Sequence, residues 1–475
     1  MTKSNKHSLF LSLREKFPVF AYKDCYVEHT PTTTRIVFHF ETPGCFEFRP
    51  VWQINYGVHA KRKAEQAGMP TDTFIFHLGM VEMISYWKAF CSPEIFVKPF
   101  LLSAEQQYWW KNLFRRGLGE FFHVNGIPQP GDDLFQFRFS GQATSPAAPM
   151  LSYGQPDPGK VLVPVGGGKD SVVTLEFFKS LGYEIIPFVI NPRRATTDVL
   201  ETAGFSPEET VTMERKMEPM LLDLNKKDYL NGHTPFSAVI AFASAYVANQ
   251  LKIKNIALSN ESSANEPTIP GTGINHQYSK SFAFEKDFRQ YTAVFLELNT
   301  EYFSLLRPLN EIQIAALFST YTDYHPAFKS CNAGSKEDIW CGQCSKCLFT
   351  YIVLSPFIPG DQMITIFGKE LFSDFALKGI LEELCGISPE KPFECVGTIE
   401  EVNLALSLSV LKWRNANAGL PALLEYYAET GLFRENAGQE LKRFLRTFDI
   451  DHFLPHDIEL VLKDKLSDDR FGNPA

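Results

Sequence analysis

Two stretches of this 475-residue chain carry residue types whose spacing can do chemistry. In the first, Gly166-Gly-Gly-Lys-Asp-Ser171 follows five apolar residues, Val161-Leu-Val-Pro-Val165, and precedes an apolar, helix-like run from Val172 to Leu181. Gly166, Gly167 and Gly168 let the backbone turn sharply and bring N–H groups up to an anion with no Cβ in the way. Lys169, Asp170 and Ser171 fall where the next helix must begin, so its unpaired N–H groups and positive dipole end face the same spot. The combination is a cradle for phosphate. It matches neither the Walker A spacing nor the dinucleotide Gly-x-Gly-x-x-Gly pattern. The second stretch holds Cys331, Cys341, Cys344 and Cys347, two overlapping Cys-x-x-Cys units with one further cysteine upstream. Four thiolates in one loop suit tetrahedral zinc, with Gly342 giving a tight knuckle, and four filled positions make such a site structural rather than catalytic. An iron–sulfur cluster is the alternative metal group. Cys25, Cys45, Cys91, Cys385 and Cys395 are scattered and read as core residues.

The elements that must position these groups follow from periodicity. Five apolar residues in a row predict a strand buried on both faces, as in a parallel sheet. Val161–Val165, a helix ending near Gly182, a strand Glu184–Ile190, a small-residue helix opened by Thr234-Pro235 and ending near Leu251, and a strand Asn255–Ser259 alternate as in a parallel α/β sheet. Ligands of such sheets lie at the carboxyl ends of the strands, where Asn191-Pro-Arg-Arg194 and Asn260–Glu266 join the cradle. The guanidinium groups of Arg193 and Arg194 pair well with phosphate or carboxylate. The stretch from Pro192 to Tyr229 reads as a connection. Residues 1–140 are rich in aromatics, with a hairpin expected across Thr42-Pro-Gly44 and helices over Phe74–Phe90 and Ala104–Phe122, and form an expected α+β domain. Residues 141–160 read as a linker, 161–356 as the nucleotide-binding domain with the cysteine knuckle, and 357–475 as a helical region containing the capping box Thr398-Ile-Glu-Glu401.

With 44% hydrophobic and 21% charged residues the chain is an ordinary globular protein, and a net charge of −9 argues against a nucleic-acid partner. The apolar core near the N-terminus, Leu9-Phe-Leu11, is too short for a signal peptide, and the most apolar helical run, Pro235–Val247, is too short to span a membrane. A cytoplasmic protein with no membrane partner is expected. No motif sets an oligomeric state.

Gly166–Ser171 resembles the Ser-Gly-Gly-x-Asp-Ser signature of the PP-loop (N-type) ATP pyrophosphatases, with Gly166 in place of the first serine. That resemblance implies ATP as a substrate, cleavage between its α and β phosphates, contact of the Asn191 segment with adenine or ribose, and metal or substrate contacts from the Asn260–Glu266 segment. Over most of its length the chain is similar to the UDP-N-acetylmuramoyl-L-alanyl-L-glutamate epimerases (MurL), through Gly-Gly-Gly-Lys-Asp-Ser171, Asn231-Gly-His-Thr-Pro235, Ser259-Asn-Glu-Ser-Ser263, Asn275-His-Gln-Tyr-Ser279 and Trp340-Cys-Gly-Gln-Cys344. This resemblance implies ATP and Mg²⁺ use, release of AMP and pyrophosphate, and inversion of the terminal L-glutamate of UDP-MurNAc-L-Ala-L-Glu for peptidoglycan. Asp170 and Glu261 would then hold Mg²⁺, and Lys169 would offset charge at the phosphates. For proton transfer, His276 and Lys280 are the first choice among His233, His276, Tyr278, Lys280 and Glu285. The alternative reading is ATP-dependent amidation or thiolation of a nucleobase, as in 7-cyano-7-deazaguanine synthase, which shares the cradle and the knuckle. A non-catalytic, zinc-stapled binding protein is a third.

Overall fold

The computed structural model describes residues 3–60, 72–140, 155–268 and 274–467. Eleven strands lie in these residues: β1 (Val19–His29), β2 (Thr33–Thr42), β3 (Phe46–Phe48), β4 (Val51–Asn55), β5 (Glu94–Val97), β6 (Gln136–Phe139), β7 (Asp157–Pro164), β8 (Glu184–Ile190), β9 (Val211–Lys216), β10 (Ile253–Leu258) and β11 (Glu301–Ser304). All belong to one sheet in the order β11-β10-β7-β8-β9-β4-β2-β1-β5-β6, with β3 paired to β2. The pairs from β11 to β9 are parallel, as are β1 with β5 and β5 with β6. The architecture is mixed α/β with a mostly parallel sheet and a helical C-terminal region.

Periodicity explains the strands. The central residues of β8 are buried in succession, as a strand covered on both faces requires. The side chains of β7 and β8 divide between two cores: Leu162, Ile186 and Phe188 pack with the N-terminal aromatics, whereas Val161, Val163, Ile185 and Val189 pack with the C-terminal helices. By contrast, β2 alternates, burying Ile36, Phe38 and Phe40, and turns through Gly44 at φ 73° into β3. Phe38 meets Trp52 edge-on at 5.5 Å, so this aromatic face is core.

The boundaries expected at 140 and 160 do not interrupt the sheet. Residues 141–154 of the expected linker lie outside the described residues, and β7 begins at Asp157, four positions before the expected Val161. The stretch read as a connection contains β9, whose antiparallel pairing with β4 joins the N-terminal half to the parallel strands. A helix, Asp72–Trp87, locks this seam: Glu82 is fully buried and accepts from Trp52 Nε1 of β4 at 3.1 Å and Arg215 Nε of β9 at 2.6 Å. Leaving that arginine without its carboxylate would cost about 3–5 kcal/mol.

In the C-terminal region, Thr398 and Glu401 form both bonds of the expected capping box on the helix Ile399–Asn415. Glu401 also accepts from the backbone N of Glu311 at 2.8 Å, at the start of the helix Glu311–Ser319. The C-terminal region thereby fixes a buried carboxylate that reaches the glycine cradle.

Candidate functional site

The glycine turn leads from β7 into the helix Lys169–Ser180, whose N-cap, Gly168, has no side-chain cap and leaves the first-turn N–H groups facing a cavity. Gly167 is held at φ 85°, and a Cβ there would lie 3.0 Å from backbone atoms of Ala195 and Thr196. Only glycine fits that approach. Gly166 differs: a Cβ there meets nothing within 4 Å. The Ser171 hydroxyl donates to the Gly168 carbonyl at 2.8 Å and lines the cavity.

This cavity, of about 270 Å³, lies at the carboxyl ends of β7 and β10 and collects Arg193, Lys280, Lys329 and Lys346 around one carboxylate, Asp170. In a chain of net charge −9 such a concentration of cations is selective for a negative ligand. A second, more apolar cleft of about 320 Å³ adjoins it, sharing Pro164, Gly166, Arg193 and Ile240 and extending over Phe188 and Asn191 at the end of β8. The pair can take a flat apolar group in one part and a polyanion in the other.

Lys169 is turned away from the cavity. Its Nζ is buried against Asp170 and, at 2.5 Å, Glu311. Burial opposes its charge, but the two carboxylates outweigh that and hold it protonated. Asp170 in turn sits below the usual carboxylate range: burial raises it, and Lys169, Lys346 and Lys280 pull it down. Glu311 is raised, chiefly by burial. Lys169 is thus the counter-ion of the Asp170 side chain, and cations from other segments face the ligand.

The cysteine knuckle abuts the cradle. The Sγ atoms of Cys331, Cys341, Cys344 and Cys347 all lie within 4.8 Å of one another, with separations of 3.7, 3.7 and 3.5 Å for three of the pairs. A zinc tetrahedron with bonds of about 2.3 Å has sulfur–sulfur edges of about 3.8 Å, so the donor set fits. Gly342 turns the knuckle at φ 64°. The backbone N of Lys329 donates to the Gly167 carbonyl at 2.9 Å, so the cysteine loop carries Lys329, Ser330 and Asn332 to the cavity wall, and the helix Ser345–Leu354 carries Lys346.

At the far side of the cavity the structure assembles groups from three distant segments. Lys280 Nζ donates to Cys395 Sγ at 3.2 Å, and His276 lies in hydrogen-bond contact with the same sulfur. His276 Nδ1 is paired with Glu120, a carboxylate of the N-terminal half that also stands 3.4 Å from His233. Burial raises a thiol, but Lys280, His276 and Lys346 bring Cys395 down to about 6. Burial lowers an imidazole, but Cys395 and Glu120 lift His276 to about 9. Burial and the neighbouring His276 push His233 down to about 4. Lys280 is held above its ordinary value by Cys395, Glu261 and Asp170, against its burial. At neutral pH the arrangement is a thiolate flanked by an ammonium and an imidazolium.

Cys395 is therefore not the core residue its isolation suggested. It is half-buried and lines the cavity, on the loop between the helices Lys378–Cys385 and Ile399–Asn415. Lys346 grips the Cys395 carbonyl, and Asn332 grips the Glu394 carboxylate, so the knuckle also anchors this loop. No sequence signal marked it, because its partners come from elsewhere in the chain.

The other expected site residues divide. Arg193 lines both cavities, but Arg194 points outward, 81% exposed and 3.6 Å from Asp198. Asn191, at φ 50°, clasps β9 through both backbone atoms of Arg215, at 2.8 and 3.3 Å. Glu261 is buried, accepts from the Ser263 hydroxyl at 3.5 Å, and is not among the residues lining the cavity, unlike Asp170. Glu285 is spent on Ser304 and on Arg307, which itself holds the carbonyls of Glu261 and Lys280. Tyr278 is buried, with the Arg116 guanidinium 4.2 Å from its ring centre. Among the described residues, no helix is long and apolar enough to cross a membrane.

A mostly parallel α/β sheet with a glycine-rich turn at its strand ends, beside four cysteines whose sulfurs are spaced to hold a metal, defines the class. Residues 12–305 match the family model of the MurL N-terminal domain and residues 327–434 that of the MurL C-terminal domain, and the chain belongs to the MurL family. Three relatives carry the name UDP-N-acetyl-alpha-D-muramoyl-L-alanyl-L-glutamate epimerase. That from Micromonospora sp. is 34% identical, covering 76% of this chain and 82% of its own. Those from Salinispora tropica and Xanthomonas oryzae pv. oryzae are 33% and 32% identical, covering 77% and 71% of this chain and 80% and 75% of theirs.

Proposed function

We propose that this chain inverts the terminal L-glutamate of UDP-MurNAc-L-Ala-L-Glu to the D form for peptidoglycan, by adenylating the glutamate carboxylate with ATP and releasing AMP and pyrophosphate. The observation that carries the reading is the shared name of relatives 32–34% identical over 71–77% of this chain. The cavity supports the chemistry. A free glutamate resists loss of its Cα proton because the adjacent carboxylate is already negative and cannot accept the carbanion's charge. Adenylation makes that carboxylate an electron-poor acyl phosphate. The cradle N–H groups, Lys329, Lys346 and Arg193 suit the phosphates, and the apolar cleft beside Asn191 suits the adenine. Asp170 with phosphate oxygens would hold Mg²⁺, which supplies charge neutralisation on the triphosphate. The cradle's place between a buried parallel strand and a helix supports a PP-loop core, and the sulfur spacing supports zinc in the knuckle. His276 and Lys280 both stand at the far side carrying their protons, which suits them to orient and to donate rather than to abstract.

Hydroxylamine added to enzyme, ATP, Mg²⁺ and the dipeptide substrate should trap hydroxamate of both glutamate configurations. Hydroxamate of the L configuration alone would contradict epimerisation on the activated species.

A further inference from the structure

Adenylation makes the Cα proton removable but does not remove it. The remover must reach the cavity and carry a free basic lone pair at neutral pH. Lys280 and His276 are protonated, and the Asp170 carboxylate stands in the first turn of the cradle helix, where the phosphates and Mg²⁺ would engage it. His233 is neutral but is absent from the residues lining the cavity. Cys395 meets both conditions.

Resting on the reading that this cavity activates the glutamate of a muramoyl dipeptide, we propose that Cys395 is the catalytic base on one face of the glutamate Cα, with Lys280 and His276 as positioning residues at its sulfur and Glu120 orienting His276. In the step, the Cα–H bond breaks, an S–H bond forms, and the bonding pair moves into the activated carbonyl as an enolate. A proton of solvent origin arriving on the opposite face makes the new Cα–H bond with inverted configuration. The thiol then returns its proton to solvent, so configuration is the only change in the adenylate, and water cleaves the acyl–phosphate bond of the inverted adenylate to give the D-glutamate carboxylate and AMP. Cysteine between cationic groups is a known means of keeping sulfur basic and accessible at neutral pH. The N-terminal half acquires a role: Glu120 reaches His276 from the helix Gly119–Val124, and Lys88 and Asn125 hold the carbonyls of Gly232 and Asn231 beside His233.

The charged and titratable groups about the sulfur are Lys280 and His276 on one segment, Lys346 on the knuckle helix and Glu394 on its own loop, with Glu120 and His233 behind His276. Alkylation of native protein by iodoacetamide, mapped by peptide mass spectrometry, should modify Cys395 at pH 6.5 faster than the exposed Cys45, and the dipeptide with ATP should block it. Lys280→Met or His276→Asn should move the midpoint of that reaction upward by about one pH unit. A merely structural cysteine would show neither effect, and Cys395 reacting more slowly than Cys45 would overturn the proposal.

The companion measurement compares deuterium incorporation at the glutamate Cα with substrate-dependent ATP–pyrophosphate exchange in the same samples. In Cys395→Ala and Cys395→Ser the ratio of the two should fall by at least about 100-fold. An unchanged ratio in these variants would overturn the role of Cys395 and leave the adenylation reading standing. Wild-type protein giving no pyrophosphate exchange with this dipeptide would instead remove the reading and the proposal with it.

Discussion

The two ends of the cavity hold charge in opposite ways. At the cradle, helix N–H groups with Lys329, Lys346 and Arg193 face a space with only Asp170 to balance them, and Asp170 already has Lys169 as its counter-ion. At the other end each cation is matched inside the protein: Lys280 by Cys395, His276 by Glu120. One end is built to stabilise negative charge that a ligand brings, and the other to keep a negative charge of its own in readiness. The contrast lets a single cavity serve activation of a carboxylate at one end and movement of a proton at the other, with Lys346, which also grips the Cys395 carbonyl, standing between them.

Removing what the ends share should have the largest effect. Cys344→Ser takes a ligand from the knuckle that carries Lys329, Asn332 and Lys346, so metal content, pyrophosphate exchange and Cα exchange should all fall to background, since a structural zinc site is worth about 10–16 kcal/mol in small domains. Metal analysis beside both assays would show whether one end survives alone. Next comes damage confined to the cradle. Gly167→Ala forces a Cβ against Ala195 and Thr196 at positive φ, a strain of about 1–3 kcal/mol, and pyrophosphate exchange should drop by about 10- to 100-fold. Gly166→Ser enters open space and should stay within about twofold of wild type, despite standing in the same turn.

pH should separate the ends. Cys395 is active as the thiolate, lost as pH falls through about 6, and His276 supports it as the imidazolium, lost as pH rises through about 9. Cα exchange should therefore follow a bell between these values, falling about tenfold per unit on the acid side, whereas pyrophosphate exchange should lack the acid limb. A matching limb in both assays would show that the ends titrate as one. The smallest contrast lies within one dipeptide. Arg193→Ala should raise the KM for ATP by about tenfold, and Arg194→Ala, an exposed pair with Asp198, should change it by less than about twofold.

The cradle and knuckle were legible because each is a continuous stretch whose chemistry is written in its own spacing. The apolar run of β7, the three glycines and the clustered cysteines needed no distant partner to be read. Lys169 shows where that ends: its type suggested a phosphate contact, but its position in the first helical turn aims it at Glu311, whose presence depends on a helix far along the chain. β9 was hidden because its outward residues, Glu214 and Lys216, are charged and only Val211 and Met213 are buried, a pattern that resembles a loop. The short β11 carried too few residues to show a period. At the thiolate end His276 and Lys280 stood out as polar residues of one short stretch, but Cys395 and Glu120 left no local trace. Cys395, Lys280, His276 and Glu120 meet only after the C-terminal loop closes on the cavity and β4 pairs with β9, so an isolated cysteine looked like packing.

The most direct test incubates the enzyme with ATP, Mg²⁺ and UDP-MurNAc-L-Ala-L-Glu in D₂O, following AMP and deuterium at the glutamate Cα together. AMP should appear and deuterium should accumulate in product of D configuration, both requiring ATP. Inversion or deuterium uptake that proceeds undiminished without ATP, or AMP release with the Cα proton untouched, would contradict this mechanism.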